Sequence, residues 1–203
     1  MSTISKLYES KEELAPGITL YKGVWPDSSQ FLTQIEQDVL NGNTAWDQGR
    51  IIMDDEATVN TSHRTVNVLN QRPAGAPITK ESVIRKKSYN HAIRTNVESV
   101  VEEYTNEYGI KILTRDTPQL MQYEEGCFFD WHLDDGPSVE RTVSFCYYMS
   151  TDYDGGEIEF KYFPVKHKPK ANELIVFPSN YIYMHRVNPV TRGIRYAVIS
   201  WWH

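Results

Sequence analysis

Three side chains stand at spacings that could hold one metal ion. His132 and Asp134 are two residues apart, and on a β-strand such residues project to one face. An imidazole and a carboxylate placed that way can grip a cation together, although an ordinary surface pair at a strand end looks the same. His185 lies in a late aromatic run, Tyr181-Ile182-Tyr183-Met184-His185-Arg186-Val187, where a lone histidine usually reads as a satisfied core residue. Taken together, two histidines and one carboxylate from an early and a late strand form the facial set that suits non-haem Fe(II). That set leaves coordination positions open for a co-substrate and O₂.

Arg195 adds a fourth group. It follows His185 by ten residues, and strand alternation puts it on one face with Ala197, Ile199 and Trp201. A guanidinium among apolar side chains is costly unless paired. Its planar fork holds a carboxylate through two parallel bonds. Arg195 is therefore either the anchor of a bound dicarboxylate or one half of a structural ion pair.

The elements that must position these groups are mostly strands. From Pro118 onward short apolar runs follow one another at 120–123, 127–134, 142–149, 157–163, 173–177, 181–187 and 194–202. Most are separated by Gly, Pro, Asp or Asn, and 152–156, Asp-Tyr-Asp-Gly-Gly, reads as a turn. Evenly spaced short strands point to a sandwich, jelly roll or barrel. The expected fold is mainly β, a jelly roll (double-stranded β-helix) with α-helices packed on one sheet.

Two helices are expected upstream. Asp27 and Gln30 have capping-box spacing, followed by Phe31, Leu32, Ile35, Val39 and Leu40 and a stop at Asn41-Gly42-Asn43. Ile93, Val97, Val100, Val101, Tyr104 and Tyr108 keep the 3.6-residue period, with Gly109 just past the end. Residues 1–15 are polar and read as partly disordered. Val66 and Val68 suggest a short strand, and 71–77 a loop. Residues 64–80 as a whole are a candidate lid.

Composition sets the outer limits. The chain has 203 residues, 40% hydrophobic and 24% charged, consistent with one globular domain. Its parts are expected to be a helical and lid-bearing support region, 1–117, and a catalytic jelly-roll core, 118–203. A net charge of −6 argues against a general nucleic-acid-coating protein. The sequence shows neither an apolar span of membrane length nor a signal peptide. Cys127 and Cys146, its two cysteines, fit neither a zinc finger nor a disulfide framework. A cytoplasmic, non-membrane protein is the default expectation. Serine-hydrolase, zincin, Walker and dinucleotide signatures are missing. His63, His91, His167 and His203 have no partner at ligand spacing.

Several segments in order resemble one family. Tyr123-x-x-Gly126-x-x-Phe129-x-x-His132-x-Asp134, then Arg141-x-x-Ser144 and Tyr153-x-Gly155-Gly156-Glu157, are similar to the early and middle segments of Fe(II)/2-oxoglutarate-dependent dioxygenases of the prolyl 4-hydroxylase type. Phe177-Pro178-Ser179 and His185-Arg186-Val187-x-Pro189-Val190-Thr191-x-Gly193-x-Arg195-Tyr196, with Trp201, are similar to the C-terminal signature. The resemblance implies that His132, Asp134 and His185 bind Fe(II). It implies that Arg195 binds the distal carboxylate of 2-oxoglutarate with help from Tyr123, and it places Trp201 in the co-substrate site. Phe129 stands where many relatives carry tyrosine. Asp135 is expected to point away from the metal. The implied reaction hydroxylates a C–H bond using O₂, with release of succinate and CO₂, and ascorbate is a further candidate cofactor. The implied substrate is a prolyl residue in a peptide or protein, for which Trp131 and Tyr183 are candidate walls.

Two alternatives stay open at this level. One is a non-catalytic jelly-roll binding module. The other is the same chemistry on nucleic acid or on another side chain, allowed by the basic runs Arg85-Lys86-Lys87 and Lys161, Lys166, Lys168 and Lys170. Oligomeric state is not legible.

Overall fold

The structure, a computed structural model, describes residues 6–49, 51–53, 56–70, 75–136 and 140–203. The N-terminal part holds β1 (Ser10–Ala15), β2 (Ile18–Lys22), α1 (Ser28–Leu40), β3 (Ala45–Gln48), β4 (Ile51–Met53), β5 (Glu56–Thr58), β6 (Arg64–Thr65) and β7 (Asn67–Asn70). A long helical segment follows: α2 (Lys80–Ile93), one π-helical stretch (Arg94–Glu98) and α3 (Ser99–Glu107). The rest is β8 (Gln119–Tyr123), β9 (Phe128–His132), β10 (Val143–Tyr148), β11 (Tyr153–Gly155), β12 (Ile158–Phe160), β13 (Lys166–His167), β14 (Glu173–Pro178), β15 (His185–Val187), β16 (Val190–Gly193) and β17 (Arg195–Trp202).

An eight-stranded major sheet runs β1-β2-β14-β10-β17-β8-β7-β3, and a five-stranded minor sheet runs β13-β12-β15-β9-β6. All pairings are antiparallel. This is the expected jelly roll, and both sheets draw strands from either side of residue 118. The central strands of the major sheet, β2, β14, β10, β17 and β8, are buried on both faces, which explains their near-continuous apolar sequences. Val143, Phe145 and Tyr147 of β10 and Tyr196, Val198 and Trp202 of β17 face the helices. There they meet Ile35 of α1, Tyr89 and Ile93 of α2, Val97, and Val100, Val101 and Tyr104 of α3. Each fully buried valine contributes about 1.5–3 kcal/mol over an exposed one. The alternate residues, Tyr148, Ile175, Phe177 and Ala197, face inward against Ile158 and Phe160 of the minor sheet.

Several expectations are corrected. Asp27 makes no side-chain cap, because its backbone (φ −88°, ψ 10°) is not extended. The long helix starts earlier, at Lys80, where Thr79 and Ser82 form the capping box. Tyr108 is 43% exposed and ends the apolar stripe. Residues 10–15 form the edge strand β1 rather than a disordered tail. The segment 152–156 is not a plain turn: β11 pairs with β16, Tyr153 opposite Gly193, a non-local partnership that local composition does not reveal. In 181–187 the strand is confined to β15, because Asn180 accepts a bond from Ile182 N and winds Tyr181–Tyr183 into a 3₁₀ turn. The candidate loop 71–77 falls partly outside the described residues.

Candidate metal and co-substrate site

Strand register assembles the three candidate ligands. His132 ends β9 and His185 begins β15, and the two are paired across the strands. Asp134 lies two residues on, beyond the end of β9 rather than on it. His132 Nε2 is 3.8 Å from Asp134 Oδ1, and His185 Nε2 is 3.8 Å from Asp134 Oδ2. One ligand atom from each residue lies within 4.8 Å of the others, a cluster one cation can bridge.

The surroundings aim these atoms. His132 Nδ1 donates to Asp130 O at 2.8 Å and His185 Nδ1 to Tyr183 O at 3.1 Å. Donation from Nδ1 leaves each Nε2 lone pair facing the shared centre, the outer-shell arrangement of metal-binding histidines. Burial, and then His185, pushes His132 down to about 3, so its ring is neutral and able to bind a metal at neutral pH. Burial raises the Asp134 carboxyl, but His185, His132 and hydrogen bonds from Ser144 and Trp201 outweigh it and hold the group below its ordinary range. The donor set, two imidazoles and one carboxylate, fits Fe(II).

A register irregularity in β9 also shapes the site. His185 pairs with His132 but Val187 pairs with Phe129, so β9 uses three steps where β15 uses two. This bulge re-aims a side chain. Phe129 turns to the His132 side and stacks on its ring at 3.5 Å and 8°. Trp131 does not line the pocket, and Tyr183 packs on Phe163 and donates to Pro16 O. Neither lines this pocket. Asp135 accepts from Arg141 N at 3.1 Å and is not in the cluster.

A pocket leads from the His-Asp-His cluster to Arg195, walled by Ile158, Val187 and Ile199. Arg195 and Tyr123 are register partners on β17 and β8. Arg195 is only 2% exposed, and its guanidinium lies 4.7 Å from the Tyr123 ring centre and 5.0 Å from that of Tyr148. Among the described residues no carboxylate pairs with it; its electrostatic neighbours are Tyr148, Tyr123, Tyr153 and Cys146. Arg195 Nε and the Tyr148 hydroxyl are both buried without a partner. Burial keeps the Tyr148 and Tyr123 hydroxyls protonated, so both can donate. An unsatisfied guanidinium N–H in the pocket lining, with protonated phenols beside it, fits a carboxylate ligand.

Trp201 sits against the metal cluster, hydrogen-bonded to Asp134, with the Arg141 guanidinium 3.7 Å from its ring centre. Sequence reasoning missed Tyr148, although alternation from Ser144 through Cys146 puts it on the site face. It also missed Arg64, a pocket residue 4.6 Å from the Phe129 ring centre; two-residue β6 gives no periodic signal. Burial pushes the Cys146 thiol, also in the pocket, up to about 12, which leaves it unreactive.

The comparisons agree with this geometry. Residues 118–203 match the family model of the 2OG-Fe(II) oxygenase superfamily. A PKHD-type hydroxylase of Synechococcus sp. (strain JA-2-3B'a(2-13)) is 42% identical over 89 residues, 39% of each chain. One from Pseudomonas putida (strain W619) is 36% identical over 96 residues, 41% of this chain and 42% of the relative. The chain thus spans about two fifths of the length of the curated relatives it matches. Among solved structures, a Trichoplax adhaerens prolyl hydroxylase in complex with a hypoxia inducible factor peptide fragment has a TM-score of 0.66 at 20% identity, over 92% of this chain and 83% of that one. A Pseudomonas putida prolyl-4-hydroxylase has a TM-score of 0.63 at 18% identity, over 92% of both chains. These structures share the fold. Among the described residues, no helix is long and apolar enough to cross a membrane.

Proposed function

We propose that this chain is an Fe(II)- and 2-oxoglutarate-dependent dioxygenase that hydroxylates a prolyl residue in a peptide or protein. The carrying observation is Arg195, buried with its Nε unpartnered, in the lining of the same pocket that holds His132, Asp134 and His185. A buried guanidinium with no counter-charge is costly, and a dicarboxylic co-substrate supplies that charge.

His132, Asp134 and His185 would hold Fe(II). Arg195, Tyr148 and Tyr123 would hold the distal carboxylate of 2-oxoglutarate. When bound, the metal supplies coupling of O₂ to decarboxylation of the 2-oxo acid. The balance is one C–H, one 2-oxoglutarate and one O₂ giving one C–OH, one succinate and one CO₂. The chain's own residues do the positioning. The Nδ1–H bonds fix the two imidazoles, Ser144 and Trp201 orient Asp134, and Ile158, Val187 and Ile199 exclude water from the reacting atoms. The prolyl target draws support from the names of the matched relatives and of the structures sharing the fold.

The test is turnover with Fe(II), 2-oxoglutarate and a library of proline-bearing and proline-free peptides. Succinate release should depend on proline, and mass spectrometry should find one added oxygen on that residue. Turnover confined to proline-free peptides or to nucleic acid would overturn the prolyl target. Absence of 2-oxoglutarate turnover with every substrate would overturn the oxygenase reading.

A further inference from the structure

The outer face of the minor sheet carries a row of side chains that the site does not use. Lys166 on β13, Glu159 on β12 and Arg186 on β15 are register partners. Arg186 pairs with Glu159 at 2.9 Å, and its guanidinium lies 4.6 Å from the ring centre of Trp131 on β9. Lys161, one residue past β12, brings Nζ to 5.9 Å from the same ring and 5.8 Å from that of Tyr162. Tyr162 is 59% exposed, and Lys161 and Lys166 are exposed.

The charge balance of this face opposes that of the whole chain. Glu159 is paired with Arg186 and lies beside Lys166, and Lys161 adds a further cation, in a protein of net charge −6. The next hairpin lysine is different, since Lys168 is matched by Asp154 at 3.2 Å. Location ties the face to the site. Phe160 pairs with His185, and His185 with His132, so Lys161 lies one residue beyond the row that carries two candidate metal ligands. Arg186 and Trp131 are the chain neighbours of those ligands. An extended polypeptide covers about 3.3 Å per residue, so residues a few positions from one held at the pocket reach this face.

We propose that this face docks an acidic stretch of the polypeptide substrate, rich in Asp or Glu and flanking the residue to be hydroxylated. The assignment rests on the polypeptide reading above and names the chemical class of segment that the substrate carries. Substrate carboxylates supply counter-charge to Lys161 and Lys166, while Glu159 already pairs Arg186. Nucleic acid fits less well. Such surfaces stack bases on free aromatic rings, whereas Trp131 is already flanked by Arg186 and Lys161. A net negative chain also repels a long polyanion. A short acidic stretch senses mainly the charges within a Debye length, about 8 Å at physiological salt.

The test reads binding without turnover, so its failure is separate from failure of the oxygenase reading. Fluorescence anisotropy of the full chain is measured with a fluorescein-labelled glutamate decapeptide and with a labelled decathymidylate. The peptide should bind saturably and weaken with salt. Lys161→Glu/Lys166→Glu should weaken it by about tenfold while 2-oxoglutarate and Mn(II) still bind. Glu159→Gln should tighten it by freeing Arg186. If the double variant does not fold, Lys161→Ala and Lys166→Ala singly should each weaken binding. Equal binding by wild type and variants, no saturable peptide binding, or tighter binding of decathymidylate lost in the same variants would overturn the assignment.

Discussion

His132 and His185 occupy one ladder position, paired across β9 and β15 with their ring centres 4.2 Å apart. Pairing two imidazoles this way puts both Nε2 atoms beside the same carboxylate, and neither residue needs a loop to find the other. The pairing of the two imidazoles is therefore a property of sheet register, and that pairing should survive loss of the carboxylate.

Asp134→Ala removes the one anionic member of the cluster. Metal binding should weaken by more than the roughly 10- to 100-fold that follows loss of an outer-shell partner. Mn(II) at about 100 times its Kd should stabilise wild type by about 2.7 kcal/mol and leave the variant's melting temperature unmoved. Equal metal-induced stabilisation in the two proteins would remove Asp134 from the site.

Arg195→Ala should weaken 2-oxoglutarate binding by roughly 10- to 100-fold, since a hydrogen bond to a charged group contributes about 1.5–3 kcal/mol. Tyr148→Phe and Tyr123→Phe should act in the same direction with smaller effect. Anaerobic calorimetry with Mn(II) in place reads the affinity directly. If all three variants bind 2-oxoglutarate as wild type does, the orphaned donors serve something else.

The Asp38 carboxyl supplies a pH-dependent contribution to stability away from the site. Burial raises it, but bonds from Tyr89, Gln34 and Asn43 and the nearby Arg85 prevail, and it sits below its ordinary value. A depressed carboxylate contributes stability above its unfolded pKa, about 3.9, and loses it as pH falls through the folded value. Asp38→Asn should lower the melting temperature at pH 7, and the gap to wild type should narrow below about pH 4. A gap that does not change between those two pH values would show that Asp38 acts by packing alone.

Much of this was readable in the residues, and the unread parts share a cause. Alternation along 194–202 put Arg195, Ile199 and Trp201 on one face, and all three line the pocket. The apolar period through Val97, Val100, Val101 and Tyr104 located the helix on the major sheet. What stayed hidden depends on partners distant in sequence. Strand β11 exists because residues 190–193 lie beside it. Phe129 faces the metal side because β9 gains a residue against β15. Strand β6 is two residues long and is defined by its pairing with β9, so Arg64 could not be placed by any local pattern. Chain proximity to the ligands is not facing direction: Trp131 packs beside Arg186 on the outer face of the minor sheet.

Gly156 links the backbone to the carboxylate anchor. Its φ is +64°, and a Cβ built there would lie 2.9 Å from Arg195 Cδ and 3.0 Å from Tyr153 Cε2. Gly156→Ala thus imposes two costs, backbone strain of about 1–2 kcal/mol for an L-residue in the left-handed region and displacement of the Arg195 side chain. Gly109 separates them. It has nearly the same φ, +65°, but open space around its missing Cβ, and it lies just past α3, outside the pocket. Gly109→Ala should lower stability and leave 2-oxoglutarate affinity alone. Gly156→Ala should lower stability by at least as much and weaken 2-oxoglutarate binding as well, by roughly tenfold if one charged hydrogen bond is misaligned. Chemical denaturation and anaerobic calorimetry on the same two proteins read both quantities. Equal 2-oxoglutarate affinity in the two alanine variants would show that Arg195 does not need the space Gly156 leaves.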